Sequence, residues 1–242
     1  MAPILGIIAV LLFVSGCSTE TNAIVQSLQY AFNSGTNIDI AQLNPNSRYL
    51  RTSVNGRVVL LALGYVDPDP EGSVEVWYSA DREVVRLQNG RVVGAVGFSP
   101  EWRGVEMRSK PKWSDMISSN EEFEWERVRD IMPGYRSGVV DKLVSRRIDP
   151  VHGSALVGID PEKILWFEDI RISEENGLAN LLLPGNYEND LGLPPARFAV
   201  AMEAGTPTAI YGEQCLSRKL CLTWQRWPLS VPSSVEQSKL TR

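Results

Sequence analysis

The chain has 242 residues, a formal net charge of −5 at pH 7, and a charged fraction of 22%. This length is ordinary for one all-β domain with insertions, so one folded unit is expected. The weakly acidic balance gives no electrostatic support for binding a polyanion, and no nucleic-acid partner is expected.

An apolar run at residues 4–14 ends in the sequence VSGC at residues 14–17. It is too short for a membrane-spanning helix, which needs about 20 apolar residues, and small residues close it, as they close a secretory leader. The alternative is a buried N-terminal helix with an ordinary core cysteine. The VSGC ending is similar to the lipobox of bacterial lipoproteins, which implies removal of residues 1–16 and lipidation of Cys17. Acyl chains on that cysteine form an effectively permanent membrane anchor.

The residue after the anchor bears on which membrane holds it. Ser18 is not the aspartate that the lipoprotein sorting rule associates with retention in the inner membrane. The predicted location is therefore the outer membrane, with the protein facing the periplasm.

Residues 17–36 are predicted to form a lipidated tether and a short helix. The apolar side chains recur at spacings of three and four, which places four of them on one face: Ile24, Leu28, Ala31 and Phe32. The alternative, a floppy tether, is disfavoured by this periodicity. A helix of about three turns is marginal alone, so this face is expected to pack on the rest of the protein.

Two Asn-Gly pairs, Asn55-Gly56 and Asn89-Gly90, each lie between segments rich in β-branched and other apolar residues. Asn-Gly favours the positive φ angles of a tight hairpin turn. Two such hairpins close together predict an antiparallel sheet.

The pattern after residue 98 is less regular. Residues 99–134 are predicted to form a long connection with short strands. Longer strands are predicted at residues 135–148, 163–172, 178–183, 196–203, 208–213 and 220–227. Residues 37–232 are thus predicted to form a single β domain, and residues 233–242 a polar, disordered tail.

The two cysteines outside the leader region, Cys215 and Cys221, stand six residues apart. An even pair in the oxidising periplasm indicates a disulfide. A redox-active pair usually has Cys-x-x-Cys spacing, and a metal site would need further ligands nearby. The prediction is a structural disulfide that stabilises the fold by about 2 kcal/mol.

Several short motifs in the first hairpins resemble one known family. They are YL at residues 49–50, LGY at 63–65, WYSAD at 77–81 and NGR at 89–91, all downstream of the lipobox. This order of features is similar to the YjbF/GfcB family of outer-membrane lipoproteins. The resemblance covers residues 17–98 and thins near the C-terminus, where the cysteine loop replaces the usual ending of the family.

The resemblance implies both a fold and a biological setting. It implies an all-β fold, with a curved antiparallel sheet approaching a barrel. It also implies a role beside exported polysaccharide, either group 4 capsule or a related exopolysaccharide. The family has no established catalytic residues, so the resemblance implies none here.

Enzyme chemistry finds little support in the sequence. The single histidine, His152, lies in a turn-rich stretch, where a surface histidine is expected rather than a catalytic one, and one histidine leaves a zinc site short of ligands. Three carboxylate pairs could serve a glycosidase, but they lie beside proline or in polar runs, where carboxylates are ordinarily solvated or cap turns: Asp67/Asp69, Asp160/Glu162 and Glu168/Asp169. We therefore predict no catalytic residue, no metal site and no cofactor.

Aromatic and basic side chains are the candidates for contact with a polysaccharide. Trp102 and Trp113 are flanked by charged residues, so both are expected on an exposed surface. The basic candidates, which could meet an acidic polymer, are Arg127, Arg129, Arg146 and Arg147. The alternative for these arginines is a solvated sheet surface, because side chains alternate between the two faces of a strand.

Together these observations predict a non-enzymatic, lipid-anchored protein that assists the secretion or assembly of capsular polysaccharide or exopolysaccharide. Its expected partners are the membrane, the polysaccharide and other proteins of the export machinery. One alternative is a lipid or lipoprotein carrier, since a curved sheet with a covering helix can enclose an acyl chain, and this alternative predicts an apolar cavity. A third function, a polysaccharide-trimming hydrolase, predicts clustered carboxylates in a cleft.

Overall fold

The computed structural model describes residues 43–119, 121–172 and 192–228. Cys17, the helix predicted within residues 17–36, the strand predicted at 178–183 and the tail predicted at 233–242 lie outside these ranges. Within them the all-β prediction is confirmed. The strands are β1 (Tyr49–Val54), β2 (Arg57–Asp67), β3 (Val74–Tyr78), β4 (Val84–Gln88), β5 (Arg91–Val96), β6 (Glu101–Arg108), β7 (Phe123–Met132), β8 (Arg136–Ile148), β9 (Leu165–Arg171), β10 (Ala196–Glu203), β11 (Thr206–Ser217) and β12 (Leu220–Trp227), and the helix α1 is Trp113–Ser118.

Each strand pairs antiparallel with its neighbours in sequence, and β1 also pairs with β12, so the sheet closes into a barrel. Consecutive antiparallel strands place their connections at alternate ends of the sheet. The end where β1 begins is called the proximal end, and the opposite end is called the distal end. The proximal end carries residues 43–48 and the connections at 68–73, 89–90, 109–122, 149–164 and 204–205.

Both predicted Asn-Gly hairpins are confirmed. Asn55 and Gly56 join β1 to β2 with φ angles of 48° and 84°, and Asn89 and Gly90 join β4 to β5 with 51° and 83°. These positive values are those of a tight two-residue hairpin turn. A Cβ on Gly90 would stand 2.4 Å from the Cβ of Ala209, so glycine also lets this turn approach β11 closely.

The prediction of short strands within a long connection at residues 99–134 is wrong. This stretch forms the long strands β6 and β7 with α1 between them. Buried positions alternate along β7 as a half-buried strand requires, but two of them are arginines: Trp125, Arg127, Arg129 and Ile131. Charged side chains normally mark solvent-facing positions. Because arginines of buried ion pairs occupy inward positions here, the alternation of apolar and polar residues that indicates a strand is absent from the sequence.

Strand β5 is buried on both faces, since Arg91 through Ala95 are all buried. The backbone N–H of Val92 donates to Oε1 of Gln214 on β11, at 3.1 Å. The preceding side chain, Arg91, binds Asp169 of β9. The Cβ position of Gly90 faces Ala209 of β11, whereas the next side chain, Arg91, reaches β9. Because successive side chains of a strand point to opposite faces, β5 begins between β11 on one side and β9 on the other. The β4–β5 hairpin therefore fills part of the interior of the barrel.

Helix α1 packs into the proximal end. Trp113 and Met116 are buried in the main apolar core, and Nε1 of Trp113 donates to the backbone oxygen of Asn89 at 3.0 Å. The helix therefore covers the tip of the β4–β5 hairpin. Across residues 43–119, 121–172 and 192–228, no helix is long and apolar enough to cross a membrane.

The β8–β9 connection lies against β11 and β12. The side-chain oxygen of Gln225 accepts from the backbone N–H of Val157 at 2.9 Å, and its Nε2 donates to the oxygen of Val157 at 2.8 Å. The hydroxyl of Tyr211 accepts from the backbone N–H of Ala155 at 3.0 Å and donates to Glu213. Burial, followed by the hydrogen bond to Glu213, raises the pKa of Tyr211 above its ordinary value. These contacts hold a long connection against the sheet.

Candidate functional site

A cluster of buried charges occupies the interior faces of β7 and β8. Asp141 is fully buried and accepts from two arginines of the neighbouring strand. Its carboxylate lies 2.9 Å from Nε and 2.8 Å from Nη2 of Arg127, and 2.6 Å from Nε and 2.9 Å from Nη2 of Arg129. Arg171 of β9 approaches the same carboxylate at 3.4 Å. One aspartate therefore serves several guanidinium groups.

A second buried ion pair adjoins the first. Arg91 binds Asp169 with two parallel contacts, at 2.7 Å from Nε and 3.0 Å from Nη2. Ser145 donates to Asp169 and accepts from Nε1 of Trp125 at 2.8 Å. The charge of Asp169 also acts on the guanidinium of Arg127, so the two ion pairs form one electrostatic unit. We use the name arginine cluster for the buried residues Arg91, Arg127, Arg129, Asp141, Ser145 and Asp169.

Burial and neighbouring charges shift the pKa values in this cluster. Desolvation lowers the pKa of Arg127 to about 10, although Asp141 acts in the opposite direction. Burial alone would raise the pKa of Asp141, but Arg127 and Arg129 hold it below its ordinary value. At neutral pH the Asp141 carboxyl is therefore ionised and the Arg127 guanidinium is protonated.

The expected exposure of four candidate contact residues is wrong. Trp102 is 0% exposed and Trp113 is 5% exposed, and both belong to the main core. The guanidinium carbons of Arg127 and Arg129 lie 4.8 and 4.7 Å from the ring centroid of Trp102, and both arginines are buried. Charged neighbours in the sequence gave the wrong indication because they either turn outward or pair inside the barrel. None of these four side chains is available to a polymer outside.

The two remaining basic candidates line an open groove at the proximal end. This groove has a volume of about 660 Å³ and is lined by Glu121, Glu122, Arg146, Arg147, Ile148 and Asp149. Nε of Arg146 donates to Glu168 at 2.9 Å and Nη1 donates to Glu122 at 3.4 Å. Arg147 is exposed, and its side chain has no hydrogen bond or ion pair with the residues that the structure describes. Its guanidinium thus presents donors that no described residue accepts.

The predicted disulfide is present. Cys215 and Cys221 are joined with an S–S distance of 1.98 Å and lie opposite each other on β11 and β12. The bond therefore ties together the strands of the hairpin at the distal end. Cys17, the predicted lipidation site, lies outside the described residues.

The residues considered for enzyme chemistry are dispersed. His152 lies on an exposed turn, as expected, and Nε2 is 3.1 Å from Glu162. Asp160 caps a short 3-10 turn by accepting from the backbone N–H of Glu162 at 3.1 Å. Glu168 and Asp169 point to opposite faces of β9, where each binds a different arginine. Each of these carboxylates thus has a visible structural role.

Sequence reasoning missed the buried partners Arg91, Asp141, Ser145 and Asp169. Arg91 and Asp169 are 78 residues apart in the chain, so no local motif links them. The alternation of Asp141, Leu143 and Ser145 along β8 was the available signal, since residues two apart share a face.

Comparison with known proteins assigns the chain to a family. The family described as "Group 4 capsule polysaccharide lipoprotein gfcB, YjbF" matches residues 20–150. A search of curated proteins found no match. Among solved structures, the hypothetical lipoprotein YmcC from Escherichia coli (K12) matches with a TM-score of 0.46 and 12% identity, over 86% of this chain and 90% of that chain. Because the family match spans more than half of the sequence, the chain belongs to the YjbF family of group 4 capsule polysaccharide lipoproteins.

Proposed function

We propose that this protein is a non-enzymatic lipoprotein of the outer membrane, facing the periplasm, that assists the secretion or assembly of capsular polysaccharide or exopolysaccharide. Family membership carries the proposal, because the family is described as a capsule polysaccharide lipoprotein. The lipobox-like ending at residues 14–17 supports anchoring through Cys17. Fractionation tests the anchor: Cys17→Ala should release a soluble periplasmic form, and persistence in the membrane fraction would contradict the assignment.

The groove at the proximal end is the proposed point of contact with the polymer. Its residues belong to the connection at 109–122, to the end of β8 and to the start of the connection at 149–164, at the end of the barrel where the described chain begins. A guanidinium presents several donors in a planar fork, which suits hydroxyl or carboxylate oxygens of a saccharide. Arg147 is the strongest candidate, since its fork has no partner among the described residues.

Surface polysaccharide measured in a strain that lacks the gene tests the function and the groove separately. The deletion should lower surface polymer, and the wild-type gene should restore it. Arg147→Glu should restore less than wild type, because it places a carboxylate where the free guanidinium stands. Arg82→Glu is the matched control, since Arg82 is exposed on the β3–β4 turn at the distal end. Unchanged polymer in the deletion strain would contradict the function, and full rescue by Arg147→Glu would contradict the groove alone.

A further inference from the structure

The arginine cluster carries more positive than negative charge. The interior holds three buried arginines, Arg91, Arg127 and Arg129, and two buried aspartates, Asp141 and Asp169. The other buried acid, Glu168, lies on the opposite face of β9 and pairs with Arg146 at the surface. The described interior therefore has an excess of at least one positive charge, in a protein whose overall charge is negative.

The excess charge is located at Arg127 and Arg129. Arg91 is paired with one carboxylate, because its Nε and Nη2 donate to the two oxygens of Asp169. Arg127 and Arg129 instead share Asp141, and Nε of Arg171 also lies 3.4 Å from that carboxylate. A buried charge without a counter-charge is strongly unfavourable, and such a site normally recruits a partner.

A guanidinium nitrogen at this position also lacks a hydrogen-bond partner. Nη1 of Arg129 is buried and has none in the structure, although Nε and Nη2 of the same side chain both bind Asp141. Nη1 of Arg91 is in the same condition. A buried polar group without a partner calls for an explanation such as a bound water or ion. Water would satisfy the donors but would leave the excess charge in place. An anion would satisfy the donors and would also neutralise the excess charge.

We propose that a small inorganic anion, of the chloride class, binds at the arginine cluster and accepts a hydrogen bond from Nη1 of Arg129. Trp113 packs on the cluster, since its ring centroid lies 4.1 Å from the guanidinium carbon of Arg91. The same side chain lines an open cavity of about 330 Å³ at the proximal end.

Chloride-dependent unfolding and bromide scattering test the proposal on the full chain. The thermal midpoint of unfolding should be measured in sodium gluconate and again after sodium chloride replaces the gluconate at constant ionic strength. Chloride at ten times its Kd should raise this midpoint by about 3–6 °C. Crystals grown in sodium bromide should show an anomalous peak against Nη1 of Arg129. Arg129→Met removes the buried donor proposed to bind the anion, so it should lose both the chloride response and the peak.

Arg103→Met is the matched control, since Arg103 is exposed on β6 and should leave both signals unchanged. The proposal would be overturned if the wild-type protein showed neither a chloride-specific rise of the thermal midpoint nor a bromide peak. Water would then be the partner of the unpaired guanidinium nitrogens. A chloride response that persists in a folded Arg129→Met variant would also overturn the proposal. Both readouts are independent of polysaccharide export, so the proposal can fail while the proposed function stands.

Discussion

Replacement of Asp141 by asparagine should destabilise the protein far more than the same change at the surface. Asp141 is 0% exposed and holds Arg127 and Arg129 through four contacts of 2.6 to 2.9 Å. Asparagine has nearly the same shape, but it removes the negative charge and turns an amide N–H₂ group toward guanidinium donors. Removal of one partner from a buried pair costs about 3–5 kcal/mol, because it leaves an uncompensated buried charge.

The matched control is Asp81→Asn. Asp81 pairs with Arg57 at 3.2 Å, but these two side chains are 60% and 75% exposed. Exposed pairs of this kind contribute below about 1 kcal/mol. The free energy of unfolding should be measured by urea titration with tryptophan fluorescence, since three tryptophans contact the cluster. If Asp141→Asn cost no more than Asp81→Asn, the assignment of the cluster as a structural ion-pair network would be wrong.

Three further outcomes are expected. The pKa of Asp141 is lower in the folded protein than its ordinary value of 3.8. Its contribution to the free energy of unfolding is therefore complete above that value and is lost as the pH falls through the folded pKa. In acid unfolding, the stability difference between wild type and Asp141→Asn should shrink below about pH 4. Gln225→Leu removes both hydrogen bonds to Val157, and hydrogen exchange at that amide should become faster, by the equivalent of about 1–3 kcal/mol. The double variant Cys215→Ser with Cys221→Ser should lose about 2 kcal/mol in urea unfolding, and dithiothreitol should lower the wild type to the same level.

Elements with local causes could be predicted from the sequence. The turns at Asn55-Gly56 and Asn89-Gly90 follow from the backbone preferences of two adjacent residues, and the structure has both. The disulfide follows from an even cysteine pair in a compartment predicted to be oxidising, and it joins neighbouring strands. The all-β class follows from these turns and from the density of β-rich segments.

The elements that depend on distant partners could not be predicted. Strand β7 was missed because Arg127 and Arg129 occupy its inward positions, and only the fold brings Asp141 to them. Burial of Trp113 depends on the β4–β5 hairpin, which runs inside the barrel and supplies the acceptor on Asn89. Of the six side chains considered for polymer contact, only Arg146 and Arg147 lie on the surface, since position on the inner or outer face is a property of the closed sheet.

The compartment in which the polysaccharide accumulates tests the account most directly. Surface-attached and periplasmic polymer should be measured in a strain lacking this gene, with wild-type and Cys17→Ala copies restored separately. The account predicts that polymer accumulates in the periplasm of the deletion strain and that only the lipidated protein returns it to the surface. Unchanged polymer in both compartments would contradict a role in secretion or assembly.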